Sequence, residues 1–149
     1  MDENNIAGFF LEGYYIFDNF APFQVMWRNK QYPTAEHAYQ AAHFIDTNPL
    51  LAEKVSLTTS PRGAKDFANL NNAHDDPNWK EKRLSIMEEI VRCKVEQHAY
   101  VKDILIETGD KNIVEMNNDD AFWGWGEDHN GENQLGKIWM KVRSEIISV

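Results

Sequence analysis

Cysteine is almost absent from this sequence, since Cys93 is its one cysteine among 149 residues. A single thiol excludes an internal disulfide framework and a cysteine-rich zinc site. Long apolar runs are absent as well, because no stretch approaches the ~18–20 apolar residues of a membrane-spanning helix. The first five residues are acidic and polar, which is not typical of a secretory signal. These features predict a protein of a reducing, cytoplasmic compartment with no membrane partner.

Basic charge is also scarce. The chain has 15 Lys and Arg against 24 Asp and Glu, which gives a net charge of −9, and both halves are acidic. Neither half offers the basic surface that non-specific binding to a nucleic-acid duplex requires. Aromatic residues, at 12%, are too frequent for a disordered chain. Because no repeat or long linker interrupts the sequence, it predicts one domain over residues 1–149.

Helix signals dominate the chain. Caps and amphipathic spacing predict helices over residues 35–46, 49–57, 78–97, 99–107 and 134–147, and a further helix that begins after Ser60. The aromatic and β-branched runs 14–17 and 23–27, with a turn at Asn29-Lys30, suggest a hairpin, and 113–115 a short strand. The predicted fold class is α+β, a predominantly helical single domain with a few short strands.

Three polar side chains of the first predicted helix fall on one stripe. Glu36, Gln40 and His43 are spaced by four and three residues, which aligns them on one helix face. From this segment alone, a solvated polar face is the favoured interpretation. The alternative is a face that meets a ligand.

Lys94 is less easily explained as a surface residue. It continues the apolar line of Leu84, Met87 and Val91 on the long predicted helix. Lysine is rarely buried without a partner, so it either snorkels from the end of the stripe or points into a pocket. In a pocket, desolvation favours the neutral amine, which can attack an electrophilic carbon.

The third unusual feature is a loop that combines acid, tryptophan and glycine. It contains Asp120, Trp123 and Trp125, with glycines at 124, 126, 131 and 136. Glycines permit close backbone approach to a ligand, and such loops are often functional. The alternative is a turn-rich connection with one Trp in the core. EF-hand spacing, phosphate-binding glycine fingerprints and zinc-spaced histidine pairs are all missing, so no metal or cofactor is predicted.

Together these blocks resemble the YbiA-like, or NADAR, family over roughly residues 9–146. The matching blocks are Phe17-Asp18-Asn19-Phe20, Tyr32-Pro33-Thr34-Ala35-Glu36-His37-Ala38-Tyr39-Gln40, Trp79, Met87, Lys94, Ile113-Val114-Glu115, Asp120-Ala121-Phe122-Trp123-Gly124, Gly131, Asn133, Leu135-Gly136, Met140 and Arg143. The resemblance implies a YbiA-like fold and an N-glycosidase. The expected substrate of that enzyme is nucleotide-like. It is either a small molecule, a ribosylamino-pyrimidine phosphate of the riboflavin pathway, or an ADP-ribosylated guanine in nucleic acid.

The resemblance also implies the site. It places Glu36, Lys94, Asp120 and Trp123 in the pocket, with Trp79 and Asn133 near it. The expected catalytic residues are Glu36, Lys94 and Asp120. The expected substrate-binding residues are Trp79, Trp123 and Asn133, together with Trp125 and His43, where this chain departs from the family pattern. Cleavage of the C1–N bond places positive charge on the ribose, which one carboxylate stabilises while the other acts as a base or positions the substrate. Lys94 either attacks C1 of a ring-opened sugar to form an imine or only holds a carboxylate. Trp123 would stack on the base or sugar.

The chain departs from the family pattern at two places. Many members have Lys at the position of His43 and a Gly-Arg pair near Ala68-Asn69, so two phosphate contacts are lost here. Trp125, between two glycines, instead favours stacking on a base. The alternative to an enzyme is a module that binds ADP-ribose or NAD without cleaving it.

Overall fold

The computed structural model describes residues 5–148, which fall into two compact units. The middle unit spans residues 19–97, and the terminal unit joins residues up to 18 with those from 98 onward. In chain order the elements are β1 (Ile6–Gly8), β2 (Val25–Trp27), β3 (Lys30–Tyr32), α1 (Ala35–Ala42), α2 (Pro49–Ser56), α3 (Pro61–Leu70), α4 (Trp79–Gln97), α5 (Ala99–Glu107), β4 (Asn112–Val114) and α6 (Gln134–Ile147). This content confirms the predicted class of a mainly helical α+β fold.

Three sequence expectations concern membrane spans, a secretory signal and the number of domains. No helix within residues 5–148 is both long and apolar enough to cross a membrane. The expectation that the chain has no secretory signal concerns its first five residues. Of these, residues 1–4 lie outside the described residues. The single domain over residues 1–149 stays a prediction.

The middle unit begins with a hairpin that differs from the predicted one. β2 pairs with β3 in antiparallel register, Val25 opposite Tyr32 and Trp27 opposite Lys30. The turn residues are Arg28 and Asn29, both in the left-handed region with φ of 48° and 66°, as a two-residue hairpin loop requires. The predicted turn at Asn29-Lys30 is therefore one residue too late. The run 14–17 is not a strand, because Tyr15–Phe17 form a short 3-10 helix.

Three helices of the middle unit, α1, α2 and α3, begin where their caps predict. Thr34, Asn48 and Ser60 each accept a hydrogen bond from the backbone three residues later. α1 ends at Ala42 rather than at the predicted Asp46. The reason is that the chain tightens there, with Phe44 N bonded to Ala41 O at 3.0 Å.

The core of the middle unit forms around α1, which packs against α2, α3, α4 and the hairpin. Every residue of α1 is buried. The buried positions of α4 are Trp79, Ile86, Met87, Ile90, Val91, Lys94 and Val95. Leu84, placed on this stripe by its spacing, is instead 41% exposed.

The terminal unit is built on a two-stranded parallel sheet. β1 pairs with β4, Ile6 opposite Asn112 and Gly8 opposite Val114, so the predicted strand near 113–115 is confirmed and its partner was missed. α6 packs on β4, and α5 packs on α6. The indole of Trp139 is fully buried on α6, with its ring centroid 4.8 Å from that of Phe17.

Candidate active site

Glu36 is a buried carboxylate at the start of α1 in the middle unit. Its backbone N–H donates to Asn19 O at 3.1 Å, and Gln40 Nε2 donates to Glu36 Oε1 at 2.7 Å. Glu36 is 7% exposed and Gln40 is 6% exposed. The interpretation of this stripe as a solvated face is therefore wrong for both residues. One helical turn supplies both the carboxylate and the amide that orients it.

Lys94 is completely buried on α4, a helix that packs directly against α1. Its Nζ lies 5.3 Å from the centroid of the Phe23 ring, within the range of a cation–π contact. The snorkelling alternative is excluded, because a snorkelling lysine would expose its ammonium group. The middle unit thus buries an amine and a carboxylate on two packed helices.

His43 and Trp79 contact each other at the other end of α1. Their ring centroids are 3.9 Å apart at an angle of 29°, and Tyr39 meets the His43 ring edge-on at 5.4 Å. His43 Nδ1 lies 3.2 Å from Asp75 Oδ1. Burial lowers the pKa of His43 below its usual value, while the neighbouring Asp75 opposes that shift. One face of the Trp79 indole is therefore covered by His43.

Asp120 organises the loop of the terminal unit. Its Oδ1 accepts hydrogen bonds from Phe122 N at 2.9 Å and Trp123 N at 2.8 Å. Its backbone oxygen accepts from Gly124 N at 3.2 Å. One carboxylate oxygen thus holds a tight turn, in the manner that favours Asp at such positions.

The two tryptophans of this loop are half-buried and differ in their surroundings. The Trp123 ring meets Phe122 edge-on at 4.8 Å and 83°. The Trp125 ring stacks on His129 at 3.7 Å and 11°, and its Nε1 donates to Asn118 Oδ1 at 3.0 Å. A ligand that stacked on Trp125 would therefore use the opposite face or displace His129.

The side chain of Asn133 forms two hydrogen bonds with the backbone of β4 and of the residue that follows it. Its Oδ1 accepts from Glu115 N and its Nδ2 donates to Ile113 O, both at 2.9 Å. Asn133 immediately precedes α6 and has a left-handed backbone with φ of 50°, so its side chain ties the start of this helix to β4. Its contact with substrate stays a prediction.

The structure brings together some of the predicted residues. In the middle unit it joins His43 to Trp79 and places Glu36 and Lys94 on packed helices. In the terminal unit Asp120 and Trp123 share one turn. Within residues 5–148, no group of three or more His, Cys, Asp or Glu is arranged to hold a metal ion.

Three residues of these clusters were not chosen from the sequence. Gln40 was visible on the stripe but had no feature that marked it as the partner of Glu36. Asp75 lies 32 positions from His43, so no local spacing could pair them. Asn19, whose backbone bonds to Glu36, has a buried Oδ1 with no hydrogen-bond partner among the described residues.

Comparison with known proteins identifies the class to which these features belong. Residues 8–147 match the NADAR domain. The chain belongs to the NADAR family, and the resemblance inferred from its motifs is confirmed.

Particular relatives carry more specific names. The chain is 32% identical to N-glycosidase YbiA of Escherichia coli strain K12 over 87% of this chain and 80% of that protein. It is 35% identical to riboflavin biosynthesis protein VVA0006 of Vibrio vulnificus over 86% of this chain but only 34% of that protein. The NMR structure of E. coli YbiA matches with a TM-score of 0.86 at 29% identity, covering 99% of this chain and 88% of that one.

Proposed function

We propose that this chain is an N-glycosidase that hydrolyses the C1–N bond of a ribosylated, nucleotide-like substrate and releases base and sugar. Its family and the name of its relative, N-glycosidase YbiA, support this assignment. The observation that carries it is the burial of Lys94 at 0% exposure and Glu36 at 7% on packed helices. Burying a charged group costs free energy that burying an apolar side chain would not cost. A catalytic role accounts for charged side chains at these two buried positions.

Glu36 stabilises the positive charge that develops on the ribose as the C1–N bond breaks. A carboxylate in a buried site acts more strongly on such charge than it would in water. Gln40 donates a hydrogen bond to one carboxylate oxygen, Oε1, and so fixes the carboxylate before the reaction begins.

Lys94 has two possible parts in this reaction. In the covalent route, the neutral Nζ of Lys94 adds to C1 of the ring-opened sugar, the bond from C1 to the nitrogen of the base breaks as that nitrogen takes up the two protons that Nζ loses, and an imine joins C1 to Nζ. Water then adds to C1 and releases the amine. In the electrostatic route, Lys94 only holds a carboxylate in place and forms no bond to the sugar.

Asp120, Trp123, Trp125 and Asn133 of the terminal unit remain predicted site residues, each testable by its own substitution. The cytoplasmic location also stays a prediction.

For the substrate we favour a ribosylamino-pyrimidine phosphate. The basis is that one relative is named an N-glycosidase and another a riboflavin biosynthesis protein. An ADP-ribosylated guanine is the second candidate, carried only by the sequence resemblance. Both contain a ribose C1–N bond, so the same two buried groups could act on either.

A mass-spectrometric assay tests the proposal. The chain is incubated separately with a ribosylamino-pyrimidine phosphate and with an ADP-ribosylated guanine oligonucleotide, and free base is quantified. We expect release from one substrate, and a loss of about 100-fold or more in Lys94→Met and Glu36→Gln. Lys80→Met and Glu81→Gln are matched controls, because both residues are exposed on the first turn of α4. Saturable binding without release would instead favour a non-catalytic module.

A further inference from the structure

The imidazole of His43 is held on three sides within the middle unit. The Trp79 ring stacks on it at 3.9 Å, the Tyr39 ring meets its edge at 5.4 Å, and Asp75 Oδ1 lies 3.2 Å from Nδ1. The position of Asp75 is itself fixed, since the next residue donates its backbone N–H to His43 O at 2.8 Å. The ring therefore has one defined orientation.

The contact with Asp75 decides which nitrogen carries the proton. An ionised carboxylate can only accept hydrogen bonds, so Nδ1 must donate to it. In the neutral imidazole, Nε2 is then an acceptor with a free lone pair. Burial favours this neutral form by lowering the pKa of His43.

The Nε2 atom is buried and has no hydrogen-bond partner among the described residues. Buried polar atoms in native proteins are nearly always paired, with protein, water or a ligand. A lone-pair acceptor in this place calls for a hydrogen-bond donor. A fully ionised phosphate does not provide one, because all of its free oxygens are acceptors.

We propose that His43 is a specificity-determining residue whose Nε2 accepts a hydrogen bond from an amino or hydroxyl group of the substrate, with Asp75 as its positioning residue. This inference rests on the proposed function and refines it. It assigns the His43 end of α1 to the base or sugar of the substrate and excludes the phosphate from contact with Nε2.

Two substitutions of His43 separate the two nitrogens. His43→Gln can place its carbonyl oxygen near the position of Nε2, whereas His43→Asn reaches only as far as Nδ1. Dissociation constants for the ribosylamino-pyrimidine phosphate are measured calorimetrically in the Lys94→Met background, which prevents turnover. We expect His43→Asn to weaken binding about 10-fold, the effect of one hydrogen bond in a buried site, and His43→Gln to restore most of it.

Asp75→Asn tests the tautomer itself. The introduced amide can donate to Nδ1, so the ring proton moves to Nε2, which becomes a donor. Nitrogen-15 NMR of the imidazole should show the proton on Nδ1 in the unmodified chain and on Nε2 in Asp75→Asn. The Asp75→Asn variant should also bind the substrate as weakly as His43→Asn does.

Two results would overturn the inference. One is a proton on Nε2 in the unmodified chain, and the other is equal affinity of the Asn and Gln variants at position 43. Failure of the proposed function is distinguishable, because it appears as intact substrate with the unmodified chain. The NMR measurement needs no substrate and stands in either case.

Discussion

Gln40 Nε2 donates a 2.7 Å hydrogen bond to Glu36 Oε1, and both side chains are more than nine-tenths buried on α1. A buried carboxylate with a fixed orientation is suited to stabilise a developing cation, since it needs no rearrangement during the reaction. The pair therefore links the local geometry of one helical turn to the proposed chemistry.

The first prediction concerns this pair. Gln40→Leu keeps the volume near that of Gln but removes the donor, so Glu36 loses its orientation. We expect kcat to fall about 10-fold or more with little change in KM, because the lost interaction acts in the transition state. Steady-state release of free base measures both constants. Gln31→Leu, on an exposed glutamine that also bonds to another side chain, is the control and should leave both unchanged.

The second prediction distinguishes the two parts proposed for Lys94. If the covalent route operates, sodium borohydride added during turnover reduces the imine to a stable secondary amine. Intact-mass spectrometry would then find the chain heavier by the sugar moiety, and peptide mapping would place the adduct on Lys94. Lys94→Met should show no adduct. Turnover without any trapped adduct would favour the electrostatic route.

The third prediction is a loss of stability in mild acid. Burial lowers the pKa values of both His37 and His43 in the folded chain, while in the unfolded chain both titrate near pH ~6.5. The unfolded state therefore binds more protons as the pH falls below that value. The contribution of the two neutral histidines to the free energy of unfolding is therefore fully present above about pH 6.5, and it is lost as the pH falls below that value.

Urea unfolding at pH 7.5 and 5.5 checks this sign. The free energy of unfolding should be smaller at pH 5.5, and His43→Gln should reduce the difference between the two values. His74→Asn, at an exposed histidine, serves as the control. A His43→Gln chain with an unreduced pH dependence would contradict the assignment.

The fourth prediction concerns Trp125 in the loop of the terminal unit. If this indole stacks on a base, Trp125→Ala should raise KM about 10-fold, in line with the energy of base–aromatic stacking. His129→Ala would show whether the histidine that covers one indole face competes with the ligand, in which case KM falls. Phe10→Ala is the control, since Phe10 is an exposed aromatic side chain of the same unit. An unchanged KM in Trp125→Ala would remove this residue from the site.

The fifth prediction tests the packing that supports Asn133. A Cβ added at Gly136 would overlap Ile113 O and the carboxamide of Asn133, so Gly136→Ala must displace α6 from β4. We expect the free energy of unfolding to fall by about 1–3 kcal/mol or more, the usual effect of overpacking. Chemical denaturation measures it. Ser144→Ala, exposed on the same helix, should change it by less than about 0.5 kcal/mol.

Local rules in the sequence predicted most of the helices. Thr34, Asn48 and Ser60 mark helix starts through hydrogen bonds that span only three residues, so their signals are readable without tertiary context. The end of α1 was missed because its last turn tightens and His43 O bonds to Asp76 N, 33 positions away. The strand β1 was missed for a related reason, since its three residues form a strand only by pairing with β4.

The residues proposed for the site were chosen from the sequence, but their surroundings could not be read from it. Spacing placed Lys94 on an apolar stripe, and the structure buries it completely. Spacing also aligned Glu36 with Gln40 but could not show that the face is buried, because α4 is far away in sequence. The dependence of His43 on Asp75 had no sequence signal at all.

The central claim is that Lys94 and Glu36 cleave a ribose C1–N bond. Its most direct test is the mass-spectrometric yield of free base from the ribosylamino-pyrimidine phosphate, comparing the unmodified chain with Lys94→Met and Lys80→Met. The account predicts release by the unmodified chain and by Lys80→Met, and almost none by Lys94→Met with its fold intact by circular dichroism. Full release by a folded Lys94→Met chain would contradict it.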